Sequence, residues 1–179
     1  MEFIPQDKNG PVLLVPKIWR DGRGYFMETF RQNEFSQHCG NHDFVQDNQS
    51  KSIGPVLRGI HYQLKKPQGK LVRVISGRVF DVAIDLRRSS PFFGKVYSFV
   101  LDNVENHMLW VPPGFGHGFR ALSEESEFVY KCTDYYNPGD EHTLLWNDPE
   151  LAIPWPSGIP LLSEKDLKGK ALADCEVYP

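Results

Sequence analysis

Cysteine, long apolar runs and an excess of either charge are all scarce in this chain. Its three cysteines, Cys39, Cys132 and Cys175, are odd in number and far apart, which excludes a disulfide framework and a C-x-x-C redox or zinc site. Buried free thiols are the expectation. No window approaches the apolar length of a bilayer span, and the opening MEFIPQDKNG has no basic region followed by an apolar stretch, so a cytoplasmic protein with no membrane partner is expected. Lys+Arg 20 against Asp+Glu 23 gives a formal net charge of -3, which leaves no general field to attract nucleic acid, although a local cationic pocket stays open. Internal repeats, low-complexity tracts and polar linkers are also missing, so residues 1–179 read as one domain.

What the chain does have is aromatic residues, 13% of the total, and regular punctuation. Apolar-rich strand candidates fall at 12–15, 24–30, 44–50, 58–64, 70–76, 78–87, 95–101, 107–111, 117–122 and 127–136. Clusters of Gly, Pro, Asn or Ser separate them, the pattern of a sandwich or barrel. Helix signals are few: RQNEFSQHC fits a short helix, and SEKDLKGKAL opens on a capping-box pattern. The fold is expected to be mostly β.

The stretch KLVRVISGRVFDVAIDL reads locally as a hairpin, with Ser76-Gly77 as a two-residue turn. Setting Ile75 opposite Arg78 pairs Val72 with Asp81 and Lys70 with Ala83, which makes Lys70 and Asp81 diagonal neighbours on one sheet face. The other face, with Leu71, Ile75, Phe80 and Val82, is apolar too, so the sheet should be covered on both sides, with a partner subunit against it.

RGIHYQLKKPQGKLVRVISG, residues 58–77, holds the frame of the first metal motif of a cupin, G-x5-H-x-H-x3-4-E-x6-G, and PPGFGH supplies the second, ending at His117. Two ligands of the first motif are replaced. His61-Tyr62-Gln63 stands where H-x-H is needed, and Lys70 stands at the carboxylate, seven residues before Gly77. An ammonium has donors and no acceptor, so a bound cation is disfavoured. The arrangement suits an oxygen that becomes negative during reaction, with His61 taking a proton. No metal and no cofactor are expected.

Eight blocks, DGRGYFMETF, FVQDNQSKS, VLRGIHYQ, QGKLVRV, FDVAIDLR, VPPGFGHGF, VYKCTDYYNPGDE and LSEKD, follow one another from about Ile18 to Leu167. Together they resemble the dTDP-4-dehydrorhamnose 3,5-epimerase family, also called dTDP-6-deoxy-D-xylo-4-hexulose 3,5-epimerases. The resemblance implies a cupin-type jelly roll, a homodimer exchanging N-terminal strands, and cofactor-free epimerisation at C3 and C5 of a dTDP-linked 4-keto-6-deoxyhexose on the way to L-rhamnose. It also implies that His61 is the base, Asp166 its partner, Tyr130 the acid and Lys70 the group steadying the enolate oxygen. Arg23, Glu28, Gln46, Asn48, Arg58, His117, Glu141 and Lys165 match substrate-contact positions, and Trp19 and Tyr136 are candidate surfaces for the thymine ring. Met27 and Trp19 depart in size from the phenylalanines of the pattern.

Local pattern alone gives plainer readings. His61 would be a core histidine, Tyr130, alternating with Phe128 and Cys132, a core tyrosine, and Ser163 to Asp166 only a helix cap. Arg23 and Arg58 would be solvated surface charges, His117 a loop residue, and Lys70 with Asp81 a cross-strand ion pair. Three rival functions remain: a monoepimerase of the same fold, a metal-dependent cupin oxygenase, and a sugar-binding cupin without catalysis.

Overall fold

The computed structural model describes residues 1–179. Thirteen strands dominate it: β1 (Glu2–Pro5), β2 (Val12–Val15), β3 (Ile18–Asp21), β4 (Gly24–Met27), β5 (Gln46–Ile53), β6 (Leu57–Gln63), β7 (Lys70–Ser76), β8 (Arg78–Asp85), β9 (Val96–Asp102), β10 (Met108–Val111), β11 (Phe115–Ala121), β12 (Glu125–Cys132) and β13 (Glu141–Thr143). Helices are limited to α1 (Gln32–Cys39), the four-residue α2 (Glu164–Leu167) and a 3-10 turn at Leu172–Asp174. The strands form a six-stranded sheet, β1-β2-β10-β7-β12-β5, a five-stranded sheet, β13-β6-β11-β8-β9, and a separate β3-β4 hairpin. Every pairing between these strands is antiparallel, in keeping with a jelly roll.

Three apolar clusters hold these layers. Val72, Val74, Val79, Leu101, Leu109, Phe119 and Phe128 fill the space between the sheets. On the outside of the six-stranded sheet, α1 buries Phe35 against Trp110, Leu14, Leu71 and Met108. Phe35 and Trp110 meet edge to face, with ring centroids 5.0 Å apart. The outside of the five-stranded sheet is covered by the chain's own C-terminal segment, through Leu144, Leu151, Leu172 and Cys175 on Ile60, Val82, Ile84 and Leu86.

The expected hairpin at Ser76-Gly77 is not one. β7 pairs with β10 and β12, and β8 pairs with β11 and β9, so the chain crosses from one sheet to the other at Gly77. Gly77 has φ +77°, and a Cβ there would lie 2.2 Å from the Glu125 carbonyl oxygen, so only glycine makes this corner. Ser123 Oγ accepts from Arg78 N–H at 2.8 Å, and Ser126 Oγ donates to the Arg78 carbonyl at 3.0 Å, bracing it from the far side. Lys70 and Asp81 are therefore not diagonal neighbours in one sheet; they belong to opposite sheets. Leu71, Ile75, Phe80 and Val82 likewise do not share a face, and the cover over Phe80 and Val82 comes from this chain rather than from a partner.

Candidate active site

Between the two sheets lies a cavity of about 880 Å³. β5 turns Gln46 and Asn48 towards it, β6 Arg58 and His61, β7 Lys70, β11 His117, β12 Tyr130 and Cys132, β13 Glu141, and α2 Lys165 and Asp166. Arg58 and His61 should point to opposite faces on a regular strand, since they are three residues apart. They share the cavity because the β6-β11 ladder slips: His117 pairs with His61 but Phe119 with Arg58, so β6 carries one extra residue there. Gly59 permits the bend, as a Cβ on it would come 2.6 Å from the Gly118 Cα.

His61 Nε2 lies 2.6 Å from Asp166 Oδ1, with the histidine side chain 22% and the aspartate 4% exposed. The carboxylate acceptor requires the proton on Nε2, which leaves the Nδ1 lone pair free. Glu141 Oε1 is 3.9 Å from Nδ1. The capping reading of α2 holds as well. Ser163 Oγ accepts from Asp166 N–H at 3.2 Å and donates to Asp166 Oδ2 at 2.8 Å, so one serine both starts the helix and aims the carboxylate. Burial works against the charged form of Asp166, yet the hydrogen bond and charge of His61, with Ser163 and Lys165, hold its carboxyl below the ordinary value of 3.8.

A second imidazole-carboxylate pair sits beside the first in the same sheet, His117 being the cross-strand partner of His61. His117 Nε2 is 3.0 and 3.1 Å from the two oxygens of Asp81, whose residue is fully buried. Sequence reasoning assigned Asp81 to Lys70 instead; the available signal was a carboxylate in the middle of an apolar strand. Lys70 is half-buried in the cavity wall, and desolvation lowers its pKa despite the nearby Cys132, Glu141 and Asp81. Tyr130 is pushed up to about 12, chiefly by burial and then by Cys132 and Glu141, so its phenol carries its proton at neutral pH. Glu141 is held below its ordinary value: burial opposes this, but Lys165 at 2.9 Å, the charge of His61 and the Tyr136 hydroxyl at 3.0 Å outweigh it.

Three sequence-predicted residues, Arg23, Glu28 and Trp19, lie elsewhere. Arg23, at the tip of the β3-β4 hairpin, is 91% exposed and pairs with Asp21, and Glu28 pairs with Arg31. Trp19 is on that hairpin beside Phe26, both exposed, whereas Tyr136 stands on the cavity rim. Gln63, at a lost ligand position, is turned to structure: its amide donates to the Lys66 and Tyr135 carbonyls and accepts from Asn137 N–H. No group of three His, Cys, Asp or Glu side chains is placed to hold a metal ion. No helix is long and apolar enough to cross a membrane.

Residues 6–174 match the family model for dTDP-4-dehydrorhamnose 3,5-epimerase. The chain belongs to that family. Among relatives of that name, the Pseudomonas aeruginosa protein is 51% identical over 170 residues, covering 94% of each chain. The Shigella flexneri protein is 48% identical over 180 residues, covering 99% of each. A Neisseria gonorrhoeae relative is 53% identical over 165 residues, but this chain spans only half its length. Among solved structures, the Legionella pneumophila dTDP-6-deoxy-D-glucose-3,5-epimerase in complex with dTDP-4-keto-L-rhamnose superposes with a TM-score of 0.94 at 44% identity, covering 98% of this chain and 94% of that one. A 3'-monoepimerase from Streptomyces bikiniensis in complex with dTDP-quinovose has a TM-score of 0.89 at 36% identity, covering 95% and 87%.

Proposed function

We propose that this protein epimerises C3 and C5 of dTDP-4-dehydro-6-deoxy-α-D-glucose, giving dTDP-4-dehydro-β-L-rhamnose. The observation that carries the reading is the His61-Asp166 pair at 2.6 Å, opening into the same cavity as Lys70 and Tyr130. C3 and C5 both adjoin the C4 ketone, so loss of either proton gives an enolate, and the ketone itself supplies the electron sink without metal or cofactor. His61 Nδ1 takes the proton, Asp166 and Glu141 stabilise the imidazolium, and the Lys70 ammonium faces the developing oxyanion. Tyr130 returns a proton to the opposite ring face and inverts the centre. Arg58 offers a guanidinium for the diphosphate.

The remaining contacts come from a second copy of the chain. Arg23 is far from its own cavity, and its hairpin exposes Trp19, Tyr25 and Phe26 at 48, 55 and 70%, a surface suited to packing on a partner. In a two-fold dimer that exchanges these strands, Arg23 and Glu28 of each subunit complete the other's site.

Deuterium wash-in tests the activity. In D2O the wild type should incorporate label at both C3 and C5 of the substrate. Label at one carbon alone would assign the chain to monoepimerase chemistry, and no label with intact dTDP binding would leave a binding protein.

A further inference from the structure

β5 presents a polar row, Gln46, Asn48, Ser50 and Ser52, to the space between the sheets, and three of the four side chains are engaged. Gln46 Nε2 donates to Asn48 Oδ1 at 3.0 Å, Asn48 Nδ2 to Cys132 Sγ at 3.5 Å, and Ser52 Oγ accepts from Arg58 Nε at 3.1 Å. Ser50 differs: its Oγ is buried and has no hydrogen-bond partner, the one side-chain nitrogen or oxygen in the protein so placed. Its cross-strand partner is Phe128, stacked on Phe119 at 4.3 Å, and neither ring offers an acceptor. A hydroxyl stripped of water and left unpaired disfavours the folded state. Alanine would fill the same place without that penalty.

Ser50 nevertheless lines the cavity, and a serine hydroxyl moves between staggered wells by one bond rotation. Its place in the row says what it would meet there. Asn48, one step along the row, lies opposite Tyr130, and Ser52, one step the other way, holds Arg58. Arg58 spends Nε on Ser52 and Nη2 on the Lys51 carbonyl, and its Nη1 makes no hydrogen bond within the protein. An anion taken by Nη1 from the cavity would share that cavity with Ser50 and the Tyr130 phenol.

We propose that Ser50 is a substrate-binding residue whose hydroxyl rotates into the cavity and donates to the sugar-side phosphate that Arg58 also holds. This rests on the nucleotide-sugar reading of the site and adds a phosphate contact to it. A phosphate oxygen, an acceptor with negative charge, is the partner that rewards a lone O–H most.

Calorimetry with dTDP, melting of the ligand-free protein and steady-state kinetics on Ser50→Ala and Ser50→Thr test it. For Ser50→Ala, dTDP binding should weaken about tenfold or more, the kinetic loss should fall on KM rather than kcat, and the ligand-free protein should melt at or above the wild-type temperature. Ser50→Thr, which keeps the hydroxyl, should restore dTDP affinity. Unchanged dTDP affinity in Ser50→Ala would overturn the proposal, even with a raised KM, and so would a melting loss with weakened binding that threonine does not repair. A wild type that binds no dTDP would defeat the nucleotide-sugar reading itself, a failure visible without either variant.

Discussion

His61 Nε2 and Asp166 Oδ1 lie 2.6 Å apart although 105 residues separate them in the chain. The pair fixes which ring nitrogen is protonated and leaves the other to face the cavity, so the two residues should fail together. His61→Ala should abolish wash-in at both carbons and lower kcat by about 10²–10⁴-fold, the span of general-base catalysis. Asp166→Asn should lose a large part of the same factor, and the double variant little more than His61→Ala. Additive losses would separate the two residues.

The depressed Asp166 carboxyl carries a pH signature. A carboxylate whose pKa falls on folding stabilises the fold above its unfolded value, and that contribution disappears as pH falls through the lower folded value. Wild type should therefore melt above Asp166→Asn at pH 7, and the gap should narrow below the ordinary value of 3.8. A gap constant with pH would remove charge from the explanation.

Lys70 separates activity from stability. Desolvation in the cavity wall lowers its pKa, and a partly desolvated cation without a close ion pair is unfavourable to the fold. Lys70→Met should lower kcat by about 10²–10³-fold, the scale of removing one oxyanion-stabilising group, while its melting temperature stays level or rises. A variant that unfolds would instead make Lys70 a structural residue.

The shared site predicts complementation. His61→Ala and Arg23→Ala should each be nearly inactive, but mixing them after subunit exchange should recover about one quarter of wild-type activity, because half the dimers are mixed and one of their two sites is intact. Mixtures as inactive as their components would place Arg23 outside the site.

At the sheet-crossing corner, Gly77→Ala must take φ +77° with its Cβ against the Glu125 carbonyl. A loss on the order of 1–3 kcal/mol is expected from backbone strain alone, read as a lower denaturant midpoint with an unchanged slope. No loss would mean that the corner can relax.

Much of this was legible in the chain. β2 and β7 match their sequence-read bounds, α1 lies within RQNEFSQHC, and most other strands agree to within a few residues, because alternation is a local property. The corner at Gly77 was not legible, since a hairpin and a sheet crossing have the same alternation around the same glycine, and the braces that decide between them, Ser123 and Ser126, lie some 45 residues away. Misplacing β8 also hid the partnership of Asp81 with His117. β1, β3 and β13 escaped because EFIP, IWRD and EHT mix polar residues or proline into a short span, whereas the equally short VLLV of β2 and MLWV of β10 are wholly apolar. Ser50 escaped because an orphaned hydroxyl is visible only once its neighbours are placed.

The short α2 turn is the last element of the site in chain order. Twelve of the thirteen strands precede residue 133 and β13 ends at Thr143, so the imidazole's counter-charge is carried by a segment that belongs to neither sheet. Unseating that one-turn helix, with its Lys165-Glu141 latch, would strip the imidazole of its counter-charge while leaving every strand in place.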